Sequence, residues 1–397
     1  MNIEPALTAI TAALHGEGPA VELSDGPDGN PVVAFVETGV LRAAGFEDAA
    51  VVVRTSGSTG APKATVLTVE ALAASSMATA LALKGEGQWL LALPVQYVAG
   101  VQVLVRSLFA GTRPWAMDMR NGFTPEAFTA GALELTDKMR FTSLVPTQLQ
   151  RLLDSPSPET IAVLRRFNGI LLGGAPASAS LLAAARDAAI RVVTTYGASE
   201  TCGGCIYDGM PLDGVEVRLE NPAVAGASSV AGRILLGGDV VAAGYLGAPD
   251  QTARTFFVHD GVRWYRTHDL GSLDADGKLT VLGRADDVII TGGLKVSATH
   301  VQEELEKSDG VLAAFVTGVQ SEEWGQAVAA FVAVADGGAG DTGSGQTAVE
   351  LAQEWHRTLG VLAPKTILPA AALIMLPNGK PDRLAMTAQL NALHQGK

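Results

Sequence analysis

The sequence predicts an α/β protein with a large N-terminal α/β domain that closes in a β-rich subdomain (residues 1–285) and a small α+β C-terminal domain (residues 286–397). Three observations carry this. Between residues 50 and 196, short apolar runs alternate with helix-length segments, the pattern of a βα sheet. After Gly203 the runs become hairpin-like, and beyond Asp286 a short stretch mixes both textures. At 397 residues the chain is long enough for two or three domains.

In order, AVVV (50–53), WLLALP (89–94), FTSLV (141–145), GILLGG (169–174) and RVVTTY (191–196) read as strands of the first domain. Val69–Leu83, Val98–Phe109 and the segments 148–153 and 179–188 read as helices, stopped by Gly85, Gly111 and Pro156. VEVRL (215–219), GRILLGG (232–238), VRWYRT (262–267) and KLTVLG (278–283) read as strands, with DADG (274–277) as a turn between the last two. The final domain is expected to hold a helix at 300–307, strands at 311–319 and 327–335, and a helix at 348–359. DGGAGDTGSGQ (336–346) reads as a surface loop.

Composition narrows the function. Hydrophobic residues make up 48% and charged residues 17%, and the net charge is -13, so no basic stripe is present to displace counterions from nucleic acid. No window of 18 uninterrupted apolar residues is found, which argues against a membrane span. The N-terminal stretch has no positive region ahead of its apolar residues, so a soluble, cytoplasmic protein is expected. The oligomeric state is left open, and a homo-oligomer is compatible with the sequence.

SGSTGAPK (56–63) follows one β-like run and precedes another. Small residues let the backbone approach an anion, hydroxyls and N–H groups donate to phosphate oxygens, and Lys63 adds charge. It is not a GxxxxGK[ST] loop, because Ala64 stands where a magnesium-binding hydroxyl would be. An ordinary hairpin turn is the alternative for this stretch alone. Residues 55–63 resemble the S/T-S-G-S/T-T-G-x-P-K fingerprint of the adenylate-forming superfamily, which includes acyl-CoA synthetases, adenylation domains and luciferases; only Ala64 departs, where Gly is usual.

Five further segments resemble that superfamily in its order. LLGGAPAS (171–178) and TYGASET (195–201) resemble its adenine- and magnesium-binding segments, RTHDLG (266–271) its ribose-binding segment with His268 for the usual Gly, GRADDVIITGG (283–293) its hinge, and LPNGKPDR (376–383) its lysine loop. The resemblance implies the adenylate-forming fold, with a small mobile C-terminal domain, and ATP, Mg2+ and coenzyme A as reactants. It assigns Thr55, Ser56, Gly57, Ser58, Thr59, Gly60 and Lys63 to the phosphates. Gly173, Gly174, Ala175, Pro176, Tyr196 and Gly197 are assigned to adenine. Ser199 falls to the α-phosphate, Glu200 to magnesium, and Asp269 and Arg284 to ribose or phosphate. Asp286 is the implied hinge, Gly292 and Gly293 the loop on the coenzyme A side, and Lys380, Glu200 and Thr59 the catalytic residues.

The segments 93–114, 141–153 and 195–218 further resemble the o-succinylbenzoate-CoA ligase branch of that superfamily in menaquinone biosynthesis, in its actinobacterial form. That implies a dicarboxylic aryl acid as substrate, with Tyr97, Ser143 and Arg106 as candidates for its pocket. Tyr97 replaces the His common there, and Arg106 is weighed against a merely solvated position. Ligases or adenylating enzymes for another aryl or fatty acid, and a non-catalytic ATP-binding protein, are the alternatives. Cys202 and Cys205 have C-x-x-C spacing but no second pair to complete a zinc site, and read as packing residues.

Overall fold

The computed structural model describes residues 1–26, 28–55, 63–120, 122–225, 229–334, 348–376 and 381–395. The chain divides into two compact units, one of Met1–Arg218, Leu235–Thr267 and Asp274–Leu279, the other of Leu219–Ile234, His268–Leu273 and Thr280–Lys397.

The first unit is built on a seven-stranded sheet in the order Met210–Pro211, Gly203–Tyr207, Val192–Ala198, Gly169–Leu172, Arg140–Leu144, Gln88–Leu91, Trp115–Ala116. The last five are parallel neighbours. Parallel pairing needs long crossovers, and the helices Val98–Phe109, Pro146–Leu153 and Ala179–Asp187 lie in them. Helices over such a sheet explain why its strands read as unbroken apolar runs: Leu90, Leu144, Ile170 and Leu172 are all buried in one cluster with Phe128 and Leu149. Helix Val69–Leu83 starts where the Thr68 hydroxyl accepts the Ala71 N–H at 3.1 Å and stops at Lys84, whose φ is 62°.

One expectation is corrected. The run 50–53 does not join the parallel sheet. Strand Ala49–Thr55 belongs to a separate five-stranded sheet in the order Gly244–Tyr245, Lys63–Thr68, Ala49–Thr55, Val21–Asp25, Pro31–Phe35. The physical reason is chain length: Thr55 pairs antiparallel with Lys63, and the seven residues between them are too few for a parallel crossover.

The hairpin-like region forms a further sheet in the order Val215–Ala225, Ser229–Gly238, Val262–Leu273, Phe256–His259, and Leu279–Arg284 also pairs with Val262–Leu273. The DADG turn forms as expected: the Asp274 carboxylate accepts the N–H groups of Asp276 and Lys278 at 3.0 and 2.9 Å, and Gly277 has φ 80°.

In the second unit, Leu294–Ser297, Val288–Thr291, Gly325–Val334 and Val311–Ser321 form a sheet in that order, and Thr366–Ala370 pairs parallel with Gly325–Val334. Alternate residues of Gly325–Val334 enter opposite cores. Val328, Ala330 and Val332 pack with Val301, Leu305 and Trp355, whereas Ala327, Ala329 and Phe331 pack with Met386 and Leu390. The predicted loop at 336–346 lies outside the described residues. Among the described residues, no helix is long and apolar enough to cross a membrane.

Candidate active site

Strands Ala49–Thr55 and Lys63–Thr68 pair antiparallel, with Thr55 opposite Lys63; Ser56, Gly57, Ser58, Thr59 and Gly60, between them in sequence, lie outside the described residues. Beyond Lys63–Thr68 runs the two-residue strand Gly244–Tyr245, with Tyr245 opposite Thr65. The N–H groups of Ala243 and Leu246 donate to the carbonyls of Val66 and Ala64 at 3.0 and 2.8 Å. These bonds put the Tyr245 ring beneath Lys63, whose Nζ stands 5.3 Å from the ring centroid.

Glu200 sits in the single 3-10 turn Ser199–Thr201 that follows strand Val192–Ala198. The Thr201 hydroxyl holds that turn, accepting the Ala198 N–H at 3.0 Å and donating to the Gly203 carbonyl at 2.8 Å. Gly197 admits the return strand: a Cβ there would lie 2.1 Å from the Gly203 carbonyl oxygen. Gly197→Ala is therefore expected to destabilise the chain by about 1–3 kcal/mol, read as a lower urea midpoint at unchanged slope.

Glu200 is buried, and the Tyr245 O–H donates to its Oε1 at 2.6 Å. Burial and the adjacent carboxylate push the Tyr245 phenol well above its ordinary value, so it remains a neutral donor. The Ala242 N–H donates to the Glu200 carbonyl at 2.9 Å, and Arg263 donates to the carbonyls of Ala242 and Ala243. Glu200 Oε2 has no hydrogen-bond partner among the described residues. One open carboxylate oxygen fits magnesium, which takes one or two carboxylates and fills its shell with water and substrate phosphates. Among the described residues no group of three or more acidic, His or Cys side chains could hold a metal by itself.

The other predicted residues of the first unit gather along one sheet edge. Residues 173–176 follow strand Gly169–Leu172, and Tyr196, Gly197 and Ser199 end or follow strand Val192–Ala198. Ser143 is the penultimate residue of Arg140–Leu144, and Tyr97 follows Gln88–Leu91. All lie toward the carboxyl ends of four neighbouring parallel strands, where open α/β sheets bind their ligands.

Arg106 is buried rather than solvated. It lies nine residues along helix Val98–Phe109 from Tyr97, about 13 Å at the helical rise per residue. Its guanidinium lies 5.3 Å from the Trp89 ring centroid and lines a small cavity with Ser76, Thr79, Glu86 and Phe109, toward the amino end of strand Gln88–Leu91, and its buried Nε has no hydrogen-bond partner. No acidic side chain among the described residues pairs with it. One turn earlier, Gln102 Nε2 donates to the Cys202 carbonyl at 2.6 Å, which ties this helix to the segment after Glu200. Cys202 and Cys205 are buried, and burial raises both thiols, Cys205 to about 12, so neither is a reactive thiolate.

In the second unit, half-buried Asp269 and Arg284 lie on the paired strands Val262–Leu273 and Leu279–Arg284. Asp286 lies in the 3-10 turn Ala285–Asp287, beside Asp287, which pairs with Arg383. Gly292 and Gly293 form the two-residue turn between Val288–Thr291 and Leu294–Ser297, with φ 54° and 81° as a type I′ hairpin needs. Lys380 lies outside the described residues; Met375 bridges Pro381 on its two sides. Tyr245 is the residue that sequence reasoning missed, because it falls in none of the matched segments.

The pattern of the AMP-binding enzyme family matches residues 11–246. A probable 2-succinylbenzoate–CoA ligase of Mycobacterium tuberculosis is 41% identical over 345 residues, 86% of this chain and 84% of that protein. The o-succinylbenzoate CoA synthetase of Bacillus subtilis, solved with its acyl-adenylate intermediate, superposes with a TM-score of 0.71 at 26% identity, over 85% of this chain and 69% of that one. The same enzyme solved with ATP and magnesium gives 0.69 at 26% identity, over 86% and 70%. A glycine-rich sequence between two paired strands, a carboxylate with an open oxygen and residues gathered at one end of a parallel sheet are thus accompanied by sequence relatives: the chain belongs to the AMP-binding, adenylate-forming enzyme family.

Proposed function

We infer that this chain ligates 2-succinylbenzoate to coenzyme A through an acyl-adenylate, as a step of menaquinone biosynthesis. The observation that carries the acid's identity is the 41% identity to a probable 2-succinylbenzoate–CoA ligase; within the molecule the candidate partner for a second carboxylate is Arg106, a buried cation that makes no ion pair among the described residues and shares its cavity with Glu86. A buried charge of this kind calls for an anion. The distal carboxylate of a dicarboxylic acid supplies it, with Tyr97 and Ser143 nearer the reacting end.

A carboxylate oxygen of the acid attacks the α-phosphorus of ATP, the bond to the β-phosphate bridging oxygen breaks, and pyrophosphate leaves. The thiol sulfur of coenzyme A then attacks the acyl carbon, losing its proton, and AMP departs. Phosphoryl chemistry asks the protein mainly for positioning and charge neutralisation. Lys63 and the 55–60 segment hold the phosphates, Tyr196 offers the purine a flat face, Ser199 donates to the α-phosphate, and Asp269 and Arg284 take the ribose. Glu200 would hold Mg2+, which neutralises phosphate charge when bound. Residues 286–397 turn about Asp286 between the two half-reactions, exchanging Lys380 for the Gly292–Gly293 turn. An enzyme drawing on ATP and coenzyme A works where those pools are, which we propose to be the cytoplasm.

Acid-dependent pyrophosphate exchange and thioester formation over a panel of acids test the reading. Benzoate and medium-chain fatty acids should turn over at least about 100-fold more slowly than 2-succinylbenzoate, because they leave a buried cation unpaired. A monocarboxylic acid used equally well makes the chain a general acyl-CoA ligase. ATP binding without exchange on any acid makes it a nucleotide-binding protein.

A further inference from the structure

We propose that Tyr245 is a positioning residue for the magnesium carboxylate, locking Glu200 by its phenol O–H and setting Lys63 by its ring; this rests on the reading of Glu200 as the metal ligand. Three features support it. The 2.6 Å bond from the phenol occupies Oε1 alone and leaves Oε2 as the open oxygen. The ring cannot drift, because it is buried, meets Phe256 edge-on at 5.2 Å between centroids, and its backbone N–H donates to the Thr252 hydroxyl at 2.9 Å. The ring also faces Lys63, whose Nζ stands 5.3 Å from its centroid, and the Thr255 side chain lies against the phenol beside Glu200.

The segment around Tyr245 is bonded on both sides. Its backbone joins the strand Lys63–Thr68 through Ala243 and Leu246, and the Glu200 turn through Ala242, while Arg263 clamps the carbonyls of Ala242 and Ala243. One short piece of chain therefore fixes the spacing between the phosphate-loop cation and the metal carboxylate. A carboxylate held by a neutral donor keeps its charge for a cation, whereas a lysine or arginine in the same place would neutralise it. A tyrosine thus orients Glu200 without competing with magnesium.

Calorimetric titration of ATP into the full chain, in EDTA and over a series of MgCl2 concentrations, tests this without acid or coenzyme A. In Tyr245→Phe the ring stays over Lys63, so ATP affinity in EDTA should change by no more than about twofold. The Mg2+ concentration that half-maximally tightens ATP binding should rise about 10- to 100-fold, the effect of losing a hydrogen bond to a charged group. Glu200→Asp, which draws the carboxylate away from the phenol, should raise it comparably. Adding Tyr245→Phe to Glu200→Gln should change it no further. An unchanged Mg2+ midpoint in Tyr245→Phe, or an equal loss of ATP affinity with and without Mg2+, overturns the positioning role. A wild-type midpoint in Glu200→Gln removes Glu200 from the metal site and overturns it too. Failure of 2-succinylbenzoate as a substrate would leave each of these results intact, so the two readings fail separately.

Discussion

Lys380→Ala should lower acid-dependent pyrophosphate exchange by about 100-fold or more, while thioester formation from supplied acyl-adenylate persists. The magnitude is that of removing one preorganised charge from a reacting centre. During adenylation negative charge moves from the acid's carboxylate onto the α-phosphate and the departing pyrophosphate, and a flexible ammonium can follow it. In the second half-reaction that charge already rests on the AMP leaving group, and the proposed turn about Asp286 exchanges the lysine for another loop. The two half-reactions therefore separate a lysine that acts in one of them from a residue that merely supports the fold. Equal loss in both would remove Lys380 from the chemistry.

Arg106→Met should raise KM for 2-succinylbenzoate about 100-fold and leave KM for ATP unchanged, as expected when a buried carboxylate loses its partner. Stability should move the other way. In the unliganded chain Arg106 is a buried cation that makes no ion pair among the described residues, with only the exposed Glu86 as an acidic residue of its cavity, so replacing it with an apolar side chain of similar length should leave the melting temperature unchanged or raise it. Benzoate, which has no second carboxylate, should show no change in KM. A melting temperature several degrees lower together with parallel losses for ATP and acid would make Arg106 a structural residue.

The parallel sheet was legible because burial on both faces writes itself as apolar runs between helix-length segments, and Val69–Leu83 and Val98–Phe109 carry clear stops. In the first 48 residues no helix or strand was legible. Helix Glu4–Leu14 buries Ala6, Leu7, Ala9, Ile10 and Ala13 in an Ala-rich segment where small residues on both faces blur the period. The helix Arg383–Gln395, which buries Met386 and Leu390, went unread, as did the strand Thr366–Ala370, whose pairing is parallel and distant in sequence. At the site, segments with unusual glycine and hydroxyl content announced themselves. Tyr245 did not, because a lone aromatic in AAGYLG looks like core until its O–H is seen on Glu200. Arg106 could be named from sequence but its burial could not, since helix periodicity tells which residues share a face and not what covers it.

The strand Gly325–Val334 has a further consequence for the chain's life in solution. Its sequence, GQAVAAFVAV, holds no charge and no proline, and both of its faces are apolar because each enters a core. Such a segment satisfies the requirements for a steric zipper, a dry interface between stacked identical strands. The native sheet is what withholds it, through neighbours on both edges and helices over both faces. The second unit is thus held to a standard of persistence that its chemistry alone would not demand: each transient opening presents an aggregation-prone ribbon, and the fold is protected by how rarely and briefly that strand is bare.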